Sequence, residues 1–184
     1  TDVKIHWTAA DANSGFKQIK LPDGTIKTTA TGDYTVSQNG TYTFVVYDVA
    51  GNTLTLQETV TNIDKVAPTG SLSHSPTNWV NTDLKIHWTA ADANSGFKQI
   101  KLPDGTIKTT ATGDYTVSQN GTYTFVIYDV AGNTLTLQET VSNIDKTPPT
   151  GSLNHTPTDW VIDYVKIHWT ASDSQSGFNR VVLP

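Results

Sequence analysis

The chain contains neither cysteine nor methionine among its 184 residues. Without cysteine there is no disulfide framework, no thiolate zinc site and no thiol nucleophile, so packing and hydrogen bonds alone must hold the fold. Positive charge is also sparse: 12 Lys and Arg stand against 17 Asp and Glu, for a net charge of −5. The basic residues are scattered, which argues against nucleic acid or an anionic membrane surface as a partner. No apolar run approaches the length of a bilayer-spanning helix, and membrane insertion is not expected. A helical hydrophobic period is missing too, since apolar residues alternate with Thr, Asn and Gly.

What the chain does contain is repetition. Residues 1–81 recur at 82–162 with nine differences, and a third copy begins at Asp163. The segment Lys-Ile-His-Trp, starting at Lys4, Lys85 and Lys166, marks a period of 81 residues. A fixed period of this size identifies an array of folding units. A catalyst gains little from chemistry copied in tandem, whereas a spacer or multivalent binder does, so an enzyme is not expected. Turn-forming residues cluster at Asn62–Thr69 and Asn143–Thr150, where unit boundaries belong. They predict a partial repeat over 1–65 that lacks its first strand, a complete repeat over 66–146 and a partial repeat over 147–184. On this reading the chain is a window cut from a longer array.

Within the complete repeat the period is two. Leu84, Ile86, Trp88 and Ala90 fall on one face, with Lys85, His87 and Thr89 on the other. Pro103-Asp104-Gly105, Asn120-Gly121 and Val130-Ala131-Gly132-Asn133 supply turns between short strands. About seven strands result, predicting an all-β fold of tandem immunoglobulin-like sandwiches. Tyr123, two residues after Gly121, has the placement of a tyrosine corner, with Phe125 standing where a disulfide-bonded domain has its second cysteine. The predicted core comprises Ile86, Trp88, Phe97, Ile100, Tyr123, Phe125, Ile127, Leu135 and Leu137.

Several motifs then carry a resemblance across essentially the whole chain. They are the openings Ala67–Gly70 and Pro148–Gly151, the turn Leu102–Thr106, Asn120–Phe125, Asp129–Thr134 and the linker Asn143–Lys146. Together they resemble the tandem bacterial immunoglobulin-like repeats of secreted and cell-wall-attached proteins of Gram-positive type. The resemblance implies an extracellular location, at the cell surface or cell wall, and a non-enzymatic role as a stalk or filament segment. The alternative is an adhesin or carbohydrate-binding module, such as an accessory part of a secreted enzyme.

Two sets of residues are candidate sites. Asp92 and Asn94 lie in one predicted loop, Asp129 and Asn133 flank another, and Asp64 sits in the linker before them. Oxygen donors converging from three segments would suit a structural Ca²⁺ that stiffens the joint. The competing role is local, because Asp and Asn also cap turns through their own backbone. In the third copy Gln175 replaces Asn94, which would weaken a ligand there. Lys85, Asn143 and Glu139 form the second set, the trio available for an internal isopeptide bond. Against it, alternation points Lys85 away from the core face.

The remaining motifs read more plainly. His87 is expected on the solvent face, and no metal-ligand spacing surrounds any histidine. Trp79 and Trp160 offer either a platform for a surface glycan or a cap on the core. Asn39, Asn120 and Asn154 stand in Asn-x-Thr sequons and read as turn residues. The expected partners are neighbouring repeats, together with identical chains that pair strands at the edge the first repeat leaves open.

Overall fold

The computed structural model describes residues 2–183; Thr1 and Pro184, the outer ends of the two partial repeats, lie outside the described residues. Fifteen strands and no helix occur among the described residues, as the alternating pattern predicts. By its contacts the chain divides into two compact units. The first holds the chain up to Ala67 together with Ala93–Gly96 and Asp129–Asn133, and the second holds Pro68–Asp92, Phe97–Tyr128 and the chain from Thr134 onward.

The first unit contains β1 (Val3–Thr8), β2 (Phe16–Lys20), β3 (Ile26–Lys27), β4 (Thr31–Val36), β5 (Gly40–Asp48) and β6 (Thr53–Val60). β1 pairs with β4, and β3-β2-β5-β6 form a four-stranded sheet. Ile5, Trp7, Ile19, Leu21, Val36, Phe44 and Val60 form its core.

In the second unit lie β7 (Thr69–Ser75), β8 (Leu84–Ala91), β9 (Phe97–Lys101), β10 (Ile107–Lys108), β11 (Thr112–Val117), β12 (Gly121–Asp129) and β13 (Thr134–Val141). They form an antiparallel three-stranded sheet, β11-β8-β7, and a four-stranded sheet, β10-β9-β12-β13. The hairpin of β14 (Thr150–Thr156) and β15 (Lys166–Ser172) completes the chain. Asn154, expected in a turn, therefore sits inside a strand, because the turn residues after β14 begin only at Pro157.

Local chemistry accounts for these limits. β8 buries every second residue from Leu84 to Ala90 and exposes the others, as period-two packing on one face requires. At the β9–β10 turn Gly105 adopts φ +87° and Asp104 accepts the Thr106 N–H at 2.9 Å. The tyrosine corner forms as expected: the Tyr123 hydroxyl donates to the Gln119 carbonyl at 2.6 Å, and Tyr42 does the same to Gln38. Trp88 lies flat over Gly113, where a Cβ would overlap its ring, and packs beside Phe125 with ring centroids 6.4 Å apart.

The core of the second unit is Leu84, Ile86, Trp88, Ala90, Ile100, Leu102, Val117, Phe125, Ile127, Val141 and Ile144. Phe97, Tyr123, Leu135 and Leu137 pack around its rim rather than inside it. Ile144 is the notable addition. It belongs to the Asn-Ile-Asp-Lys linker, yet it is buried and forms a parallel bridge with Val80.

Candidate functional site

The linker residues are held by their own repeats. In the second unit Asn120 closes a two-point clamp on Ile144, accepting its N–H at 2.9 Å and donating to its carbonyl at 2.8 Å. Asn143 donates to the carbonyls of Pro76 and Asn78 at 2.9 and 2.7 Å, while its own carbonyl accepts the Val80 N–H. Lys146 reaches Asp83 at 2.6 Å. The first unit repeats the pattern: Asn39 clamps Ile63 at 2.9 Å through both groups, and Lys65 meets Asp2 at 2.9 Å. Sequence reasoning assigned Asn39 and Asn120 to turns and missed the clamp. The only available signal was the recurrence of each Asn a fixed distance before the linker, and nothing in the sequence names the partner 24 residues on.

Between these anchors sits the linker acid. Asp64 accepts the N–H of Val66 at 2.9 Å, that of Ser95 at 3.1 Å and the Asn94 amide at 3.4 Å. The Ser95 hydroxyl foremost, and then the Val66 N–H, hold its carboxyl below the ordinary range. Asp145 stands in the same place in the second unit. It accepts from Thr147 at 2.9 Å and from Ser176 at 2.9 Å, and the Ser176 hydroxyl is the leading cause of its lowered pKa.

Of the proposed calcium ligands, the first unit holds Asp64, Asn94, Asp129 and Asn133. Asp129, fully buried at the end of β12, accepts the N–H groups of Gly132 and Asn133 at 2.6 and 2.7 Å and the Asn133 side-chain amide at 2.8 Å. That amide also points to the carbonyls of Asp64 at 3.3 Å and Val66 at 3.1 Å. Within the first unit, Asp64 and Asp129 each offer a carboxylate oxygen within 4.8 Å of the other. Two carboxylates with nearby carbonyls are oxygen donors of the kind a hard cation such as Ca²⁺ accepts. Asn133 presents its amide nitrogen to Asp129, and Asn94 does so to Asp64.

The first repeat shows what the loops do by themselves. Asp11, the counterpart of Asp92, accepts the N–H groups of Asn13 and Gly15 at 3.0 and 2.8 Å. Asp48 binds Asn52 as Asp129 binds Asn133, at 2.7 Å through both groups. Turn capping is thus intrinsic to these acids, and the linker Asp is the element added to them.

The isopeptide trio does not assemble. Lys85 is exposed and lies 3.7 Å from Asp114, because alternation along β8 sends it to the outer face. Asn143 is committed to Pro76 and Asn78, and Glu139 lies 2.5 Å from His74 Nδ1. Glu139 does keep the inward parity of Leu135 and Leu137. His87 lies on the solvent face, 2.9 Å from Asp114, as its parity predicts. Trp79 is half-exposed and Trp160 fully so; neither caps the core. Trp79 borders a cleft of about 360 Å³ with Asn81, Asp145 and Ser176. No model of a known protein family matches this chain, and no curated protein does either.

Proposed function

We propose that the chain is a non-enzymatic structural array, a stalk or filament segment of an extracellular surface protein built from immunoglobulin-like sandwiches. The observation that carries this reading is the linker. Asn-Ile-Asp-Lys is clamped and ion-paired to its repeat by the same contacts at both copies, and in the second it is also bridged to Val80, so it behaves as part of the sandwich and not as a free tether. A spacer needs that property; a flexible multivalent binder does not. The strand order of the two sheets and the tyrosine corner support the immunoglobulin-like assignment.

Hydrogen exchange tests it. The Ile144 and Ile63 amides, each bonded to an Asn side chain, should exchange as slowly as the strands beside them. Exchange as fast as in an unstructured tether would remove the basis for a spacer.

Two secondary proposals accompany this one. We propose that Asp64 and Asp129 take a structural Ca²⁺, in which case adding the ion should raise the melting temperature and Asp64→Asn should abolish the rise. Equal melting with chelator and with Ca²⁺ would leave turn capping as the whole role of these acids. The second reading of the chain is a carbohydrate-binding module, favoured by Trp79 beside Asn81 and Asp145. On a glycan array the spacer reading expects no selective retention. Selective retention that Trp79→Ala removes would put the binding module in its place.

A further inference from the structure

The sequence holds two Asn-Gly pairs, Asn39-Gly40 and Asn120-Gly121, and both stand at the clamp on a linker. Asparagine before glycine is the least durable amide in a protein, because no Cβ hinders attack by the following nitrogen on the side chain. The fold itself does not call for glycine there. Neither Gly40 nor Gly121 is among the glycines with positive φ. A Cβ on either would meet only the ring of Tyr42 or Tyr123, at 4.0 Å, an ordinary contact. What the glycine does supply is reactivity, at the residue whose side chain seats the linker.

The clamp restrains that reactivity. Asn120 Oδ1 accepts the Ile144 N–H at 2.9 Å, and Nδ2 donates to the Ile144 carbonyl at 2.8 Å. Gly121 opens β12, paired opposite Val141. Attack needs the amide carbon turned toward the Gly121 nitrogen, and an amide bonded twice to Ile144 is not free to turn. Asn39 is held to Ile63 in the same way.

We propose that Asn120 and Asn39 are sites of spontaneous deamidation, gated by the seating of Ile144 and Ile63. When the clamp opens, the Gly121 nitrogen gives up its proton and bonds to Asn120 Cγ, and the side-chain nitrogen leaves as ammonia. Water then opens the cyclic imide to aspartate or its β-linked isomer. The net change is amide plus water to carboxylate plus ammonium, with no oxidant, reductant or enzyme required. The product cannot restore the latch. An ionised carboxylate only accepts hydrogen bonds, so where Nδ2 stood an oxygen would face the Ile144 carbonyl. An opening long enough for reaction is thereby made permanent. The chemistry needs only the clamp, whatever the array is for.

Peptide mapping by mass spectrometry, on the whole chain held at mildly alkaline pH, tests this. In urea Asn39 and Asn120 should convert at equal rates, since both lie in Ser-Gln-Asn-Gly-Thr-Tyr. Without urea both should slow by at least about tenfold, because reaction then waits on local opening. Gly121→Ala should slow Asn120 conversion in urea by roughly tenfold, with Asn39 unaffected and the urea midpoint no lower. Asn120→Asp installs the product and should speed exchange of the Ile144 amide by at least about tenfold, while the β8 amides keep their rates. Asn120 conversion equally fast with and without urea overturns the proposal, because the clamp would then gate nothing. So does a Gly121→Ala chain that converts as fast as its parent in urea. Ile144 exchange unmoved by Asn120→Asp overturns it too, since the latch would survive its own deamidation.

Discussion

At the scale of single residues, two positions carry constraints that composition alone does not reveal. Gly113 exists so that the Trp88 indole can lie on β11, and a methyl there would strike the ring. Gly113→Ala should therefore destabilise the fold by about 1–3 kcal/mol, the usual cost of overpacking, read as a lower urea midpoint at unchanged slope. The Tyr123 hydroxyl does something gentler, tying the start of β12 to the turn before it. Tyr123→Phe keeps the ring and should cost only about 0.5–1 kcal/mol in the same measurement. If the phenylalanine variant proved as costly as Gly113→Ala, the ring contacts would have been misjudged.

At the scale of elements, the linker is the part that behaves unlike its sequence. Asn120→Ala would leave the Ile144 N–H and carbonyl without their partners and should cost about 1–3 kcal/mol, with the Ile144 amide exchanging faster while those of β8 do not. The strands were legible because apolar alternation is a local property: β8 from Leu84 to Ala90 and the tyrosine corner follow from neighbours a few residues apart. The rim and clamp were not. Leu135 and Leu137 have the same alternation as Ile127, yet lie at the sheet margin, and only the three-dimensional sheet order separates them. For the candidate site, turn chemistry identified Asp92 and Asp129. The approach of Asp129 to Asp64 depends on the path of the linker, which no local pattern encodes. Which end of an amide faces an acid depends on the partner, and Asn94 and Asn133 turn their nitrogens to Asp64 and Asp129.

For the whole molecule, stability should depend on acid in a defined direction. Hydrogen bonds hold several carboxyls below their ordinary values: Asp64 chiefly through the Ser95 hydroxyl, Asp104 through the Thr106 N–H, Asp114 through His87 and Asp145 through the Ser176 hydroxyl. A carboxyl depressed in the native state contributes fully above its unfolded value of about 3.9 and loses that contribution as pH falls through the lower native value. Urea midpoints should thus fall on acidification below about pH 4, and a midpoint that rose there would contradict the assignment. The tryptophans have a consequence of another kind. Trp7 and Trp88 are enclosed beside Phe44 and Phe125, while Trp79 and Trp160 face solvent. The chain therefore carries its own optical probes: a blue-shifted emission shielded from iodide, from the two sandwich interiors, over a quenchable red-shifted background. Loss of the shielded component would follow the opening of those interiors without any label.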